Sequence, residues 1–176
     1  MKIRRVVAGN VNGKSVFLTD GDAPYTYNYK HIPGFSTSLI WSTSKDPELA
    51  ESSEDPIGPR SSLLPAQGES RFMMVSFPPD SIFYSESFDF QAAIAEQQEH
   101  LIGLFETLDP DQPGMHATHT VDFGVIVKGP IWLELDDGQE RRLEAGEVVV
   151  QQGNRHAWRN KGDEEAVVAF VLLGAK

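Results

Sequence analysis

Three histidines and one aspartate are the residues of this chain best suited to binding a metal ion. His116, His119 and Asp122 lie close together, and His156 follows about 40 residues after His116. Neutral imidazole and carboxylate groups suit Fe, Zn, Mn or Ni. Two histidines with one carboxylate match the non-haem iron triad, which leaves positions open for substrate or O₂, and equally suit a Lewis-acid ion. The pattern predicts one divalent metal ion and leaves its identity open.

The elements that must position these residues are short strands. From residue 121 the chain consists of six β-rich segments separated by Gly-containing turns: VDFGVIV, PIWLELD, QERRLEA, EVVVQQ, HAWRN and EAVVAFVLL. Asp137-Gly138 is a strong hairpin signal. Neighbouring strands of a small barrel bring distant residues together, so His156 is expected to approach the cluster at 116–122.

The first half of the chain is predicted to hold strands and a loop. Residues 3–8 and 14–19 form a hairpin, 35–42 and 71–77 are further strands, and the Ser-, Pro-, Glu- and Gly-rich stretch 44–70 is a long surface loop.

One helix is predicted, over residues 89–107, with Asp89 capping its first turn. His100 is expected to be a solvated surface histidine. Apolar residues recur at helical spacing along one face: Ile94, Leu101, Leu104, Phe105 and Leu108.

Length and composition indicate one domain over residues 1–176: N-terminal strands and loop at 1–88, helix and linker at 89–113, and a motif-bearing core at 114–174. Hydrophobic residues make up 40% and charged residues 23%, as in soluble globular proteins, and no apolar run is long enough to span a membrane.

The net charge of −11 argues against nucleic-acid binding, which needs a clustered basic surface. The absence of cysteine excludes disulfides, thiolate catalysis and cysteine-based zinc sites. The N-terminus shows no apolar signal-peptide region, so a cytoplasmic location is expected.

A second motif surrounds His156. Gly146 is followed by five residues, Gln152-Gly153, two residues, His156, three residues and Asn160. This spacing resembles the second motif of the cupin family, which reads G, five residues, P-x-G, two residues, H, three residues, N. Gln152 takes the place of the proline, and one residue is missing.

The region that precedes this second motif resembles the first cupin motif. The ligands of that motif are the two histidines of H-x-H and a glutamate. Three or four residues separate H-x-H from the glutamate, and six residues separate the glutamate from a glycine. Asp122 stands at the place of the glutamate, with six residues between it and Gly129, and His116 stands at the first histidine. Thr118 stands at the second histidine, and His119 comes one residue late.

The resemblance implies a mainly β fold: a cupin-like double-stranded β-helix (jelly-roll) barrel, with N-terminal strands and one helix before the motifs. It also implies one divalent metal and often a dimer. The family includes dioxygenases, decarboxylases, isomerases, lyases and non-catalytic binding proteins, and the fold alone does not choose between them.

The leading hypothesis is a metal-dependent enzyme acting on a small, oxygen-rich organic molecule, of the dioxygenase, decarboxylase or isomerase/lyase type. The alternative is a non-catalytic, small-molecule-binding cupin without metal. No catalytic acid or base can be assigned from spacing.

Strand parity ranks the candidate ligands. His116, Thr118 and Asp122 share one face of a strand, whereas His119 points the other way unless a bulge shifts it. His116, Asp122 and His156 are therefore favoured, and His119 is a fourth candidate.

The same parity predicts residues for a substrate pocket. Trp158 shares a face with His156, although it could equally be a core aromatic. Gly124 and Ile126 follow Asp122 on its face, where Gly124 would leave room for a ligand.

Arg71 begins a strand whose Met73, Val75 and Phe77 are expected to be buried, which would carry Arg71 towards the interior. There it could bind a substrate carboxylate, and the alternative is a salt bridge at the rim.

The assembly is predicted to be a homodimer with two-fold symmetry, because a small barrel leaves strand edges that demand pairing or covering. The strands at 3–8 and 14–19 are suited to extend a sheet within the chain or across to a partner.

Overall fold

The computed structural model describes residues 1–49 and 54–176. The fold is mainly β, as predicted; residues 50–53 of the predicted surface loop lie outside the described residues. The elements follow in chain order: β1 (Arg4–Val11), β2 (Lys14–Asp22), β3 (Tyr25–Asn28), β4 (Ser36–Thr43), β5 (Ser70–Phe77), α1 (Phe90–His100), β6 (Thr120–Lys128), β7 (Ile131–Glu134), β8 (Glu140–Leu143), β9 (Val148–Gln152), β10 (Ala157–Arg159) and β11 (Ala166–Gly174).

Two antiparallel sheets enclose the core. The larger has the order β3-β4-β5-β11-β6-β9, and the smaller has the order β10-β7-β8. Each of the six segments predicted from residue 121 contains a strand, and Asp137-Gly138 forms the turn between β7 and β8. Apolar side chains of both sheets meet in one cluster, which includes Val75, Ile126, Val168 and Phe170 from the larger sheet and Ile131, Leu143 and Trp158 from the smaller.

The predicted N-terminal hairpin is present as a separate two-stranded sheet of β1 and β2. Asn12 and Gly13 both have positive φ, 51° and 75°, as a two-residue type I′ turn requires. Arg5 attaches the hairpin to β4, because its guanidinium donates to the Ile40 carbonyl at 3.1 Å and lies 5.5 Å over the Trp41 ring. Within the chain, the hairpin therefore extends neither the larger nor the smaller sheet.

The helix is shorter than predicted. Asp89 caps it as expected, accepting the Ala92 amide at 3.0 Å, but α1 ends at His100 and Gly103 follows with a φ of 80°. The predicted apolar face is wrong at Ile94, which is 45% exposed. Within α1 the buried residues are Ala93 and Glu96, so a carboxylate rather than an apolar stripe docks the helix.

Glu96 binds the chain that follows β3. Its carboxylate accepts the Lys30 and His31 amides, both at 2.8 Å, and the Tyr27 hydroxyl at 2.9 Å. His100 stacks on the Tyr27 ring with centroids 3.5 Å apart, so the expectation of a solvated surface histidine is wrong. Three hydrogen bonds to Glu96 and one ring stack on His100 thus hold α1 in place.

The described part of the loop at 44–70 contains no helix or strand before Ser70, as predicted. It is not wholly a surface loop, however, because Ile57 and Leu63 are buried in the core cluster. Two apolar anchors therefore hold this irregular segment in place. In the described part of the chain, no helix has the length and apolar character needed to cross a membrane.

Hydrogen bonds of the Asn160 side chain connect the smaller sheet to the larger one. Its side-chain amide donates to the Phe77 carbonyl at 2.9 Å and to the Glu164 carbonyl at 2.7 Å, and its oxygen accepts the Gly162 amide at 3.0 Å. These bonds join the ends of β5 and β10 to the turn before β11. The asparagine of the second motif therefore has a structural role here.

Replacing Asn160 should destabilise the fold. In Asn160→Ala two backbone carbonyls and one amide lose their bonds to a buried side chain, so we expect the free energy of unfolding to fall by about 2–4 kcal/mol. Urea denaturation followed by circular dichroism measures this change. The control is Asn10→Ala on the exposed face of β1, which should leave the midpoint unchanged. An equal effect of both substitutions would contradict the structural role.

The Glu96 contacts should make stability depend on pH. Burial alone would raise the pKa of Glu96, but the bonds from Lys30, His31 and Tyr27 outweigh it and hold the pKa below its usual value. A carboxyl group with a lowered folded pKa stabilises the protein above its unfolded pKa of about 4.3, and this stabilisation is lost as pH falls through the folded pKa.

Glu96→Gln should therefore lower the free energy of unfolding by about 1–3 kcal/mol at neutral pH, with the difference shrinking in acid. Urea titrations at several pH values measure it. Glu99→Gln is the control, since Glu99 is 77% exposed. A difference for Glu96→Gln that stays constant down to acid pH would show that the carboxylate charge is not responsible.

Candidate functional site

The site begins with two histidines that the backbone brings together. The His116 amide donates to the His156 carbonyl, and the His156 amide donates to the His116 carbonyl, both at 2.9 Å. Their imidazole centroids are 4.3 Å apart. His116 precedes β6 and His156 precedes β10, so the predicted approach of these distant segments is confirmed.

Each imidazole is oriented by a carbonyl two residues before it. The Nδ1 of His116 lies 3.0 Å from the Gly114 oxygen, and the Nδ1 of His156 lies 3.0 Å from the Asn154 oxygen. Because a carbonyl only accepts, each Nδ1 carries the proton and each Nε2 keeps its lone pair. Metal-binding histidines are commonly oriented in this way.

Asp122 is buried on the inward face of β6. The Thr118 and Thr120 hydroxyls are 2.6 Å apart, and the Thr120 hydroxyl acts to lower the pKa of the Asp122 carboxyl. The Asp122 Oδ1 has no hydrogen-bond partner in the described structure. Thr118, at the place of the second motif histidine, is thus bound to Thr120.

Gln151 also belongs to the site, although it was not among the residues predicted from the sequence. It is buried on β9, opposite Asp122 in the strand register. Its Nε2 lies 3.1 Å from the His156 Nε2, and no partner for its Oε1 is found among the described residues. Alternation along β9 places Gln151 and the exposed Gln152 on opposite faces of the strand.

Burial determines the protonation of the site. Burial, together with the neighbouring His116, lowers the pKa of His156 to about 4, while the Asn154 carbonyl opposes the shift. Burial also lowers the pKa of His116, against the Gly114 carbonyl and Asp122. The pKa of Asp122 is raised by burial, against Thr120 and His116. Both imidazoles are therefore neutral at neutral pH, the form that binds metals.

Arg71 and Asp122 lie in the same row of the larger sheet, meaning that both pair with Leu172 of β11, one from each side. Adjacent strands are about 4.8 Å apart, so two strand spacings place their Cα atoms about 10 Å from each other. Met73 and Val75 of this strand are buried, as predicted. The guanidinium bonds to Glu69 at 2.8 Å and to the Ser62 carbonyl at 3.1 Å, which is the rim salt bridge considered as the alternative. The row consists of Arg71, Leu172, Asp122 and Gln151.

Aromatic side chains form the floor of the site. The Trp158 ring is 6.4 Å from the His156 ring and 5.4 Å from the Phe170 ring, between centroids. Phe170 also occupies the space over Gly124, where an added Cβ would lie 3.3 Å from its ring. Gly124 thus admits Phe170 in this structure, Ile126 is buried in the core, and Trp158 borders His156.

His119 is not brought to the histidine pair. Its side chain is exposed, and its carbonyl accepts the Ala175 amide at 2.9 Å. It borders a separate open cleft of about 240 Å³, beside Gln152 and Gly153. This placement agrees with the parity argument, and no bulge turns His119 inward.

The donor set fits a divalent ion in its chemistry: two imidazole Nε2 atoms, a carboxylate oxygen and an amide oxygen, the two oxygens lacking partners. As the side chains stand within residues 1–49 and 54–176, however, no group of three or more His, Asp or Glu is arranged to hold one. The role of His116, His119, Asp122 and His156 as metal ligands stays a prediction.

Comparison with known proteins identifies the segment that carries the site. The family described as Cupin domain matches residues 104–172. Oryzines biosynthesis cluster protein J of Aspergillus oryzae is 41% identical over 66 residues, 37% of each chain. The cupin-domain-containing oxidoreductase srdD of Neurospora crassa is 38% identical over 65 residues, 35% of this chain and 33% of its own. The match thus spans about a third of these relatives' length.

Among solved structures, the Cupin_2 domain of an XRE family transcriptional regulator from Enterobacter cloacae covers 61% of this chain and 83% of its own, with a TM-score of 0.39 and 14% identity. The family match includes β6 to β10 and every candidate ligand, as the motif spacing implied. Residues 104–172 match the cupin domain family, so over this segment the chain is similar to cupins.

Proposed function

We propose that this protein is a metal-dependent cupin oxidoreductase acting on a small, oxygen-rich organic molecule. His116, Asp122 and His156 would bind one divalent ion, from among Fe, Zn, Mn and Ni. The observation that carries the proposal is a pair of neutral imidazoles with centroids 4.3 Å apart, each with its Nδ1 directed to a backbone carbonyl so that Nε2 carries the lone pair, in a chain whose Asp122 is buried. Relatives named as cupin-domain oxidoreductases support the reaction class.

The unpartnered oxygens support a cation. A buried acceptor without a hydrogen bond costs about 1–3 kcal/mol, and more when it is charged. Asp122 Oδ1 and Gln151 Oε1 both lack a partner among the described residues and lie on adjacent strands. A bound cation would satisfy both oxygens and would favour the ionised form of Asp122.

The residues of the chain prepare the site in defined ways. The Gly114 and Asn154 carbonyls hold the imidazole tautomers, and the Thr120 hydroxyl favours the ionised form of Asp122. Trp158 supplies an apolar wall beside His156, which would keep water from a bound molecule. A divalent ion held there would polarise substrate oxygens or support oxygen chemistry.

Two of the predicted substrate contacts need qualification under this proposal. Arg71 could bind a substrate carboxylate only in competition with Glu69, its present partner. Gly124 would admit a ligand only if the Phe170 ring moved. Trp158 and Ile126 are unaffected by this restriction. A cytoplasmic location also stays a prediction from the sequence.

A non-catalytic, small-molecule-binding cupin without metal is the second candidate. Two observations favour it: Thr118 replaces a motif histidine and binds Thr120, and the Gln151 amide already donates to the His156 Nε2. Metal binding by the purified protein separates the two candidates.

We also propose that two copies associate through the outer face of β6 and β9 rather than through the hairpin. Outward positions there are apolar and exposed: Phe123, Val125, Val127, Val148 and Val150. None is charged, so this face avoids the repulsion expected between two chains of net charge −11. Apolar patches of several hundred Å² commonly mark interaction sites, and a stable interface needs about 800 Å² per partner.

His156→Ala is expected to abolish metal binding while leaving the fold intact, because it removes a ligand and little apolar contact. Zinc, iron, manganese and nickel are loaded in turn, and bound metal per chain is measured after gel filtration. Uptake of O₂ with organic acids and phenols tests activity of the loaded protein.

His119→Ala is the matched control for this experiment and should keep the wild-type metal content, because its side chain is exposed and apart from the pair. Full metal content in His156→Ala would refute the assignment of the site. Wild-type protein that takes up none of the four metals would favour the non-catalytic candidate.

Val150→Asp should convert the dimer to a monomer, since it places a charge within the apolar face. Light scattering at micromolar concentration is expected to give twice 19.5 kDa for the wild type and 19.5 kDa for this variant. Val6→Asp on the hairpin is the control and should remain dimeric; Val6 is 45% exposed. A monomeric wild type, or dissociation by Val6→Asp alone, would exclude the proposed face.

A further inference from the structure

Gln151 is the polar group at the site for which neither motif provides a role. Its side chain is only 4% exposed, although the outward positions of the same strand are open to solvent. The strand register sets it opposite Asp122, and its amide nitrogen reaches the His156 Nε2 at 3.1 Å. Gln151 therefore contacts one predicted ligand and faces another.

The amide is only half satisfied in this position. The nitrogen donates to His156, whereas the oxygen has no partner in the described structure. A purely structural glutamine buried to this degree would be expected to have both ends bonded, since buried polar groups nearly always are. The free oxygen indicates that something else is to be bound.

The contact with His156 also has a consequence for metal binding. The Nδ1 proton of His156 is directed to Asn154, so Nε2 has a single lone pair, which now accepts from Gln151. A metal ion needs that same lone pair. When His156 binds an ion, the Gln151 NH₂ must leave Nε2, and the amide is then free to present its oxygen.

Thr118 leaves a ligand position unfilled. It stands where the motif has a second histidine, and its hydroxyl is bound to Thr120 rather than directed to the imidazole pair. Amide oxygen is a ligand for hard divalent ions such as Mn²⁺, and it commonly joins carboxylate and imidazole donors. Gln151 reaches the site from the neighbouring strand with the type of donor that is needed.

We infer that Gln151 is a ligand of the divalent ion through its amide oxygen, in place of the histidine absent at Thr118. This inference rests on the proposed function, because it assumes that His116, Asp122 and His156 bind the ion. It adds a fourth donor and predicts a set of two nitrogens and two oxygens. The same side chain protects the His156 Nε2 before the ion binds.

Two substitutions test the inference in the full chain. Gln151→Leu keeps much of the volume and removes the oxygen, and Gln151→Glu keeps an oxygen donor and adds charge. Titration calorimetry with Mn²⁺ and Co²⁺ should show affinity about 10- to 100-fold weaker for Gln151→Leu. Gln151→Glu should bind at least as tightly as wild type. Visible spectra of the Co²⁺ protein should change with Gln151→Leu, because they report the number and kind of ligands.

The matched control is Gln152→Leu, the exposed neighbour on the same strand, which should behave as wild type. Thermal unfolding without metal shows whether each variant is folded. Unchanged or tighter binding and an unchanged Co²⁺ spectrum in Gln151→Leu would overturn the inference and leave Gln151 as a competitor for His156.

Failure of the wild type to bind either ion would overturn both this inference and the proposed function. Loss of binding in His156→Ala with unchanged binding in Gln151→Leu would overturn this inference alone. The two failures are therefore distinguishable.

Discussion

The reciprocal backbone bonds between His116 and His156 are the constraint on which the site depends. His116 leads into β6 of the larger sheet, and His156 leads into β10 of the smaller one. Two 2.9 Å bonds therefore join the sheets at the point where both imidazoles emerge, which forces the rings into contact. Each ring is then fixed by the carbonyl two residues before it, at Gly114 and Asn154. This repeated local device makes the tautomers a property of backbone geometry, independent of any third side chain.

The strands could be predicted from the sequence because their signals are local. Asn12-Gly13 and Asp137-Gly138 supply the positive φ values that tight hairpins need, and alternating apolar residues mark the faces between them. The helix was predicted less well because its docking is not local. Ile94 satisfies the helical period but is exposed, since Glu96 binds amides 65 and 66 residues away and turns a different face inward. The periodicity of apolar residues cannot predict that the Glu96 carboxylate is buried.

The candidate site likewise contains residues that local sequence patterns indicate and one residue, Gln151, that they do not. Motif spacing alone suggested His116, Asp122 and His156 as ligands, and strand parity alone predicted the opposite face for His119, since each of these relations lies within one short segment. Gln151 could not be found in this way, because its place beside Asp122 depends on the pairing of β6 with β9. That register is a tertiary fact, fixed by the turns and strands between residues 128 and 148. A second polar residue next to Gln152 gives no such information by itself.

The buried polar groups of the described chain fall into two classes. Glu96 and Asn160 have each oxygen or nitrogen matched to a partner, and they join elements of the fold. Asp122 and Gln151 each keep an oxygen without a partner. The other unpartnered atoms are neutral hydroxyls in separate elements, those of Thr19, Tyr29 and Ser36, whereas Asp122 and Gln151 are neighbours beside two neutral imidazoles. Burial of two adjacent acceptors is unfavourable for an isolated fold. Under the proposed function, a bound cation would remove this penalty for the oxygens of Asp122 and Gln151.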